Sequence, residues 1–307
     1  MPLDPRIEAL LAEAVANDPR GIEMLSVEEA RIRGGSVAVA SVPYEGVAEA
    51  RDLVISGETP LPARLYRPAA GKLPLLVYFH GGGWVVGSVA VSDTFCRALA
   101  NASGCAILSV DYRLAPEHRY PAAVDDAYAA TKWAFEHADV LDADPTRIAV
   151  GGSSAGGGLA AVTALRARQR GGPPIAAQLL HVPVTDHDFT RASYRAYGSG
   201  HGLTLAGMRW FWGHYLPEAA LRDEPDASPV RARDLSRLPP AIVVTAECDP
   251  LRDEGRAYAD GLRAAGVPVT YLEYAGMVHG FMGWSSKVPT ARRALDEVGA
   301  KLREVLA

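Results

Sequence analysis

The chain has 307 residues, 49% of them apolar and 22% charged, with a formal net charge of −5. That is enough apolar material for one large core with an added cap, and too much for a disordered chain. The acidic balance provides no basic surface of the kind a nucleic-acid backbone demands, so the expected partner is a small molecule and not nucleic acid. No run approaches the roughly 18 apolar residues of a membrane span, and the first residues lack the basic-then-apolar pattern of a secretory signal. Cys96, Cys105 and Cys248 are too scattered for a disulfide framework or a zinc finger, and are expected to be buried thiols of a cytoplasmic protein.

Ile7, Leu10, Leu11 and Val15 recur at helical spacing, which predicts an amphipathic helix over residues 4–16. Gly34-Gly35 is expected to break the polar stretch that follows. Residues 37–47 and 50–66 have the character of β-hairpin material, turning at Gly57-Glu58-Thr59-Pro60, so the sheet should begin antiparallel. From Leu75 onward, β-rich runs alternate with helical stretches: strands 75–79, 105–110 and 147–151, with helices 91–102, 122–138 and 155–169. Strands 176–181, 241–246 and 268–273 follow, with helices over 251–265 and from 289. This rhythm predicts βαβ units in a mostly parallel central sheet flanked by helices.

The alternation lapses between 184 and 238, a stretch that carries Trp210-Phe211-Trp212. Ligands bind beyond the carboxyl ends of parallel strands, so an interruption there predicts a lid. The expected organisation is an N-terminal part of a cap over 1–45, core over 46–183, cap insertion over 184–238, and core again over 239–307.

Two motifs carry the chemistry. Gly152-Ser153-Ser154-Ala155-Gly156 sits between an apolar run, 147–151, and a small-residue helix. A serine between glycines on a strand-to-helix turn is lifted out of a sheet as a nucleophile. His80-Gly81-Gly82-Gly83-Trp84 ends the strand at 75–79, where bare backbone N–H groups can hold an oxyanion. A serine hydroxyl needs a base, and the base needs an acid to fix its tautomer. Ser154 is followed in order by Asp249, after the apolar run 241–245, and by His279 in a glycine-flanked loop; Asp253 and Glu247 are alternative acids beside the same strand.

Together with Asp111-Tyr112-Arg113-Leu114-Ala115-Pro116-Glu117-His118, the run Asp249 to Gly255 and His279-Gly280-Phe281, these blocks resemble the bacterial hormone-sensitive lipase family of carboxylesterases across residues 60–285. The resemblance implies an α/β-hydrolase fold with an eight-stranded core and a helical cap, no cofactor, and hydrolysis of short- to medium-chain acyl esters. Under it Ser154, Asp249 and His279 form the catalytic triad, and the N–H groups of Gly82, Gly83 and Ala155 form the oxyanion hole. Trp84, Leu203, Leu205, Met208, Trp210 and Phe211 are expected to line the acyl pocket. Ser153, His181 and Cys248 depart from the residues many relatives carry at these places, which touches pocket lining more than chemistry.

Three further groups have plainer readings. His80 is expected to brace the glycine loop, and Glu117 and Asp126 to be buried structural acids. The His181 to Asp188 stretch holds metal-ligating residue types at a spacing that fits no defined site, so no metal is expected. A non-catalytic small-molecule receptor, a metal-dependent hydrolase, and an amidase or lactonase are the competing functions, and a homodimer is a possible arrangement.

Overall fold

The computed structural model describes residues 2–39 and 45–307, the side chains of 36–39 excepted. It opens with helices α1 (Pro5–Asn17) and α2 (Val27–Val39). Asp4 starts α1 by accepting the Arg6 N–H at 2.9 Å, with Pro5 in the first turn. A reciprocal box starts α2: Ser26 Oγ accepts the Glu29 N–H at 3.2 Å, and the Glu29 carboxylate accepts the Ser26 N–H at 2.8 Å. This corrects two expectations. Gly34-Gly35 does not break the chain but lies inside α2, and residues 37–39 are helical, not strand. The part of the expected strand over 40–44 lies outside the described residues, and 45–48 are irregular.

Strands β1 (Glu49–Ile55) and β2 (Leu61–Arg67) form the expected antiparallel hairpin around Gly57 to Pro60. The other strands are β3 (Leu73–Phe79), β4 (Ala106–Val110), β5 (Ala143–Ser153), β6 (Gln178–His181), β7 (Ala241–Cys248) and β8 (Val269–Val278). They make an eight-stranded sheet in the order β1-β2-β4-β3-β5-β6-β7-β8. The pairs β1/β2 and β2/β4 are antiparallel and the rest are parallel. Strand β8 runs five residues past the expected end, to Val278, which places His279 at its tip.

Helices α3 (Val89–Ser103), α4 (Ala122–Glu136), α5 (Ala155–Arg170), α6 (Ala192–Tyr197), α7 (Leu205–Tyr215), α8 (Arg252–Ala264) and α9 (Pro289–Val305) complete the fold. Side chains alternate across the sheet, so each strand serves two cores. Leu75, Val77 and Phe79 of β3 join the core under α4, α5 and α8. Leu76 and Tyr78 join the core under α3 and α9.

Among the described residues, 184–238 holds helices and turns but no strand. The N-terminal helices form a cap, and α7 meets the segment between them where Gly207 abuts Ile22. Arg31 of α2 latches the cap to the core. Its guanidinium donates to Val85 O at 2.9 Å, to Ala115 O at 3.0 Å and to the Glu117 carboxylate at 2.7 and 2.8 Å. Glu117 is therefore not the buried acid expected of it; more than half its side chain is exposed, and Arg31 holds its carboxyl down at about 2. Asp126 is buried as expected, its carboxylate held by Arg113 at 2.7 Å.

Candidate active site

Strand β5 ends at Ser153 and α5 begins at Ala155, so Ser154 alone makes the corner, with φ 57° and ψ −119°. That is outside the regions ordinary residues occupy, and it turns the hydroxyl away from both elements. Neighbouring backbone fixes the corner: Ser154 N–H donates to His181 O at 2.8 Å, and Ser154 O accepts from Gly158 N–H and Val184 N–H, both at 3.0 Å. The tight approach explains the small residues around it. A Cβ at Gly156 would lie 2.0 Å from Phe79 O and 2.5 Å from His80 O.

His279 Nε2 lies 2.9 Å from Ser154 Oγ, and His279 Nδ1 lies 2.8 Å from Asp249 Oδ2. Asp249 is fully buried, and its other oxygen accepts the Leu251 N–H at 2.8 Å. The carboxylate must accept from Nδ1–H, which leaves Nε2 as the acceptor for the serine proton. The rival acids point elsewhere. Asp253 accepts the Ser193 N–H at 2.8 Å and pairs with Arg252 at 2.9 Å, while Glu247 accepts the Gly276 N–H at 2.8 Å. Glu247 thereby braces the end of β8 before His279 from one side, and the Asp4 N–H, donating to Gly276 O at 3.0 Å, braces it from the other.

The glycine loop comes to the same point. Gly82 and Gly83 have φ of 123° and 58°, where an L side chain is strained. A Cβ at Gly83 would lie 2.2 Å from the Phe211 ring, and one at Gly82 would lie 2.1 Å from Val86 O. The N–H groups of Gly82, Gly83 and Ala155 have no partner among the described residues; Ala155 opens α5, where such groups are free by construction. His80 sits beneath, fully buried, with Nδ1 2.8 Å from Gly81 O and its ring stacked on Tyr112. Burial keeps its pKa below the usual histidine range.

A second serine-histidine contact lies beside the first: Ser153 Oγ is 3.0 Å from His181 Nδ1. No carboxylate backs His181. Burial, and then the nearby His279, lower its pKa to about 3, which makes it a weaker base than an ordinary histidine. Of these two serines, Ser154 is the one with an acid-backed base.

The expected pocket residues divide. Phe211 packs directly on Gly83, and Met208 is buried beside it on α7. Leu203, Leu205 and Trp210 are half-buried at and just before α7, with Trp210 edge-on to Phe211 at 5.2 Å. Trp84 is buried against α7, stacked on Tyr215 at 4.1 Å and edge-on to Trp212 at 4.9 Å. The acyl-pocket reading missed a cavity of about 280 Å³ lined by Tyr78, Val91, Phe95, Ser153 and His181. Ser153 and His181 stood out as departures from the family pattern, whereas Val91 and Phe95 gave no signal inside an ordinary helix. The metal-ligating residue types of 181–188 disperse: Asp186 binds Arg191 and Arg231, His187 meets Asp223 at 2.9 Å, and Asp188 holds Thr190.

Fold and site together place the chain among the α/β hydrolases, and a family model of that fold matches residues 76–283. The chain is 44% identical over 261 residues to the esterase LipI of Mycobacterium tuberculosis, covering 83% of this chain and 82% of that one. It is 41% identical to an ethyl acetate hydrolase of Pseudomonas putida, over 80% of this chain and 79% of that one. A hyperthermophilic esterase from Pyrobaculum calidifontis superposes with a TM-score of 0.94 at 41% identity, with both chains fully covered. The chain belongs to the hormone-sensitive lipase family of carboxylesterases, and it is a carboxylic ester hydrolase.

Proposed function

We propose that the protein hydrolyses esters of short to medium acyl chains through an acyl-enzyme on Ser154. The observation that carries this reading is the unbroken chain from Ser154 Oγ through His279 to buried Asp249, at 2.9 and 2.8 Å. Ser154 Oγ attacks the ester carbonyl carbon and its proton passes to His279 Nε2. The carbonyl oxygen becomes an oxyanion, received by the N–H groups of Gly82, Gly83 and Ala155, each worth about 3 kcal/mol in comparable sites. Collapse breaks the carbon–oxygen bond to the alcohol, whose oxygen takes the proton from His279. Water, deprotonated by the same nitrogen, then attacks the acyl-enzyme, and the acid departs as the proton returns to Ser154.

Phe211 against Gly83 supports a short acyl slot, because a chain leaving the oxyanion loop on that side meets its ring. We read residues 1–45 and 184–238 as the cap that shapes this slot, and place the protein in the cytoplasm, in keeping with its buried, unpaired cysteines. A p-nitrophenyl ester series from C2 to C16 tests the proposal. Rates should rise to around C4 to C6 at up to about 0.8 kcal/mol per methylene and then fall. An optimum at C12 or beyond, or strong activation at an oil-water interface, would overturn the short-slot reading. Organophosphate should label Ser154 and not Ser153.

A further inference from the structure

The cavity of about 280 Å³ lies on the α3 and α9 face of the sheet, at the carboxyl ends of β3, β5 and β6, and Gly82, Gly280 and Gly283 line it together with Tyr78, Phe95 and Ser153. Its position relative to the triad says which half of an ester it can hold. The leaving oxygen must sit beside His279 Nε2 to be protonated, so the alcohol lies on the side of the base. Gly280 and Gly283, just past His279, line this cavity, and no residue of α7 does. The acyl chain is left with the other side, where Phe211 covers Gly83. The volume suits a short alcohol.

Beside Val86, Val91 and Phe95 the wall carries the hydroxyl side chains of Tyr78, Ser92 and Ser153 and the ring of His181, and of these Ser153 and His181 form a pair. His181 is 2% exposed, and its Nε2 has no hydrogen-bond partner among the described residues. A buried N–H without an acceptor costs more than a ring nitrogen without a donor, so the proton resides on Nδ1 and is donated to Ser153 Oγ. The hydroxyl hydrogen of Ser153 is then uncommitted, and Ser153 lines the cavity.

We infer that this cavity receives the alcohol half of the ester, and that Ser153 there donates a hydrogen bond to an acceptor oxygen on the alcohol. Ester substrates of short alkoxyalkyl or hydroxyalkyl alcohols are the class this selects over plain alkyl esters of equal length. The inference rests on Ser154 as the nucleophile, and it makes Ser153 and His181 a specificity pair rather than a second reactive one.

The test compares 2-methoxyethyl acetate with butyl acetate, which differ by one oxygen in place of a methylene. Taking the ratio of their kcat/KM values within each variant, and comparing variants, cancels the intrinsic difference between leaving groups. Ser153→Ala should lower that ratio about fivefold, the worth of one hydrogen bond. Val91→Phe, which fills the cavity, should lower kcat/KM for butyl acetate relative to methyl acetate while leaving the ratio of methyl hexanoate to methyl acetate as it was. An unchanged ratio in Ser153→Ala overturns the donor role. A narrowed acyl range in Val91→Phe, with the alcohol range intact, overturns the assignment of the cavity. If the wild type hydrolyses none of these esters, or Ser154→Ala is as active as wild type, the underlying esterase reading fails instead.

Discussion

Replacing Asp249 by Asn changes one atom and leaves the shape of the site. The carboxylate has two commitments, Oδ1 to the Leu251 N–H and Oδ2 to His279 Nδ1, both at 2.8 Å, in a fully buried setting. An asparagine has a single acceptor oxygen. Turning its NH2 toward Leu251 would set two donors face to face in a buried place, so the oxygen stays with Leu251 and the NH2 faces His279. Nδ1 must then accept, and the imidazole proton moves to Nε2. Ser154 now meets a donor where it needs an acceptor. The expected loss in kcat on a butyrate ester is about 10⁴-fold, equivalent to about 5 kcal/mol of barrier, with the urea midpoint little changed. Asp253→Asn should show the opposite pattern, because Asp253 ties Ser193 and Arg252 and does not touch His279. A loss below tenfold for Asp249→Asn, or a larger kcat loss for Asp253→Asn, would refute this account of the acid.

Gly156→Ala should destabilise the fold by about 3 kcal/mol, since its Cβ would lie 2.0 Å from the carbonyl oxygen of Phe79; Gly213→Ala, in α7 with nothing within 4 Å, should instead stabilise by about 0.5 to 1 kcal/mol, and chemical denaturation separates the two. His181 is neutral in the fold, with its pKa lowered to about 3, whereas the unfolded chain protonates it near 6.5. The stability linked to it is therefore complete above pH 6.5 and is lost as pH falls toward 3. Between pH 7 and 5 the loss from this group is about 2 kcal/mol; His181→Gln should flatten the urea midpoint over that range, and an equal slope in both proteins would show that His181 does not titrate in this way. Phe211→Ala should move the acyl optimum toward longer chains in the p-nitrophenyl series, and an unmoved optimum would remove Phe211 from the wall.

The parallel strands were readable because burial on both faces makes them continuous apolar runs, as in Leu75 to Phe79, and the hairpin because its turn residues interrupt such runs. Ser154, Asp249 and His279 stand out because each closes or follows a strand beside glycine or proline. Helix α2 was missed for a local reason. Gly34-Gly35 read as a breaker, yet a helix anchored by Arg31 tolerates the penalty of two glycines, and the box Ser26-Val27-Glu28-Glu29 was a start signal in plain view. The cavity was not readable: Tyr78, Phe95 and His181 meet only through the registry of separate strands with α3. Glu117 was misplaced because a proline turn says nothing about which side of it faces water.

The backbone at Ser154 bears on why this chain holds a serine there at all. At φ 57° and ψ −119° glycine would sit at ease, while a residue with a Cβ gives up about 1 to 3 kcal/mol. A scaffold shaped only to hold a ligand would relax by exchanging that hydroxymethyl side chain for the lone hydrogen of glycine. The serine carries that strain, and what it gains from the corner is reach. The strain is what holds the nucleophile clear of both β5 and α5, written in the torsion angles of one residue.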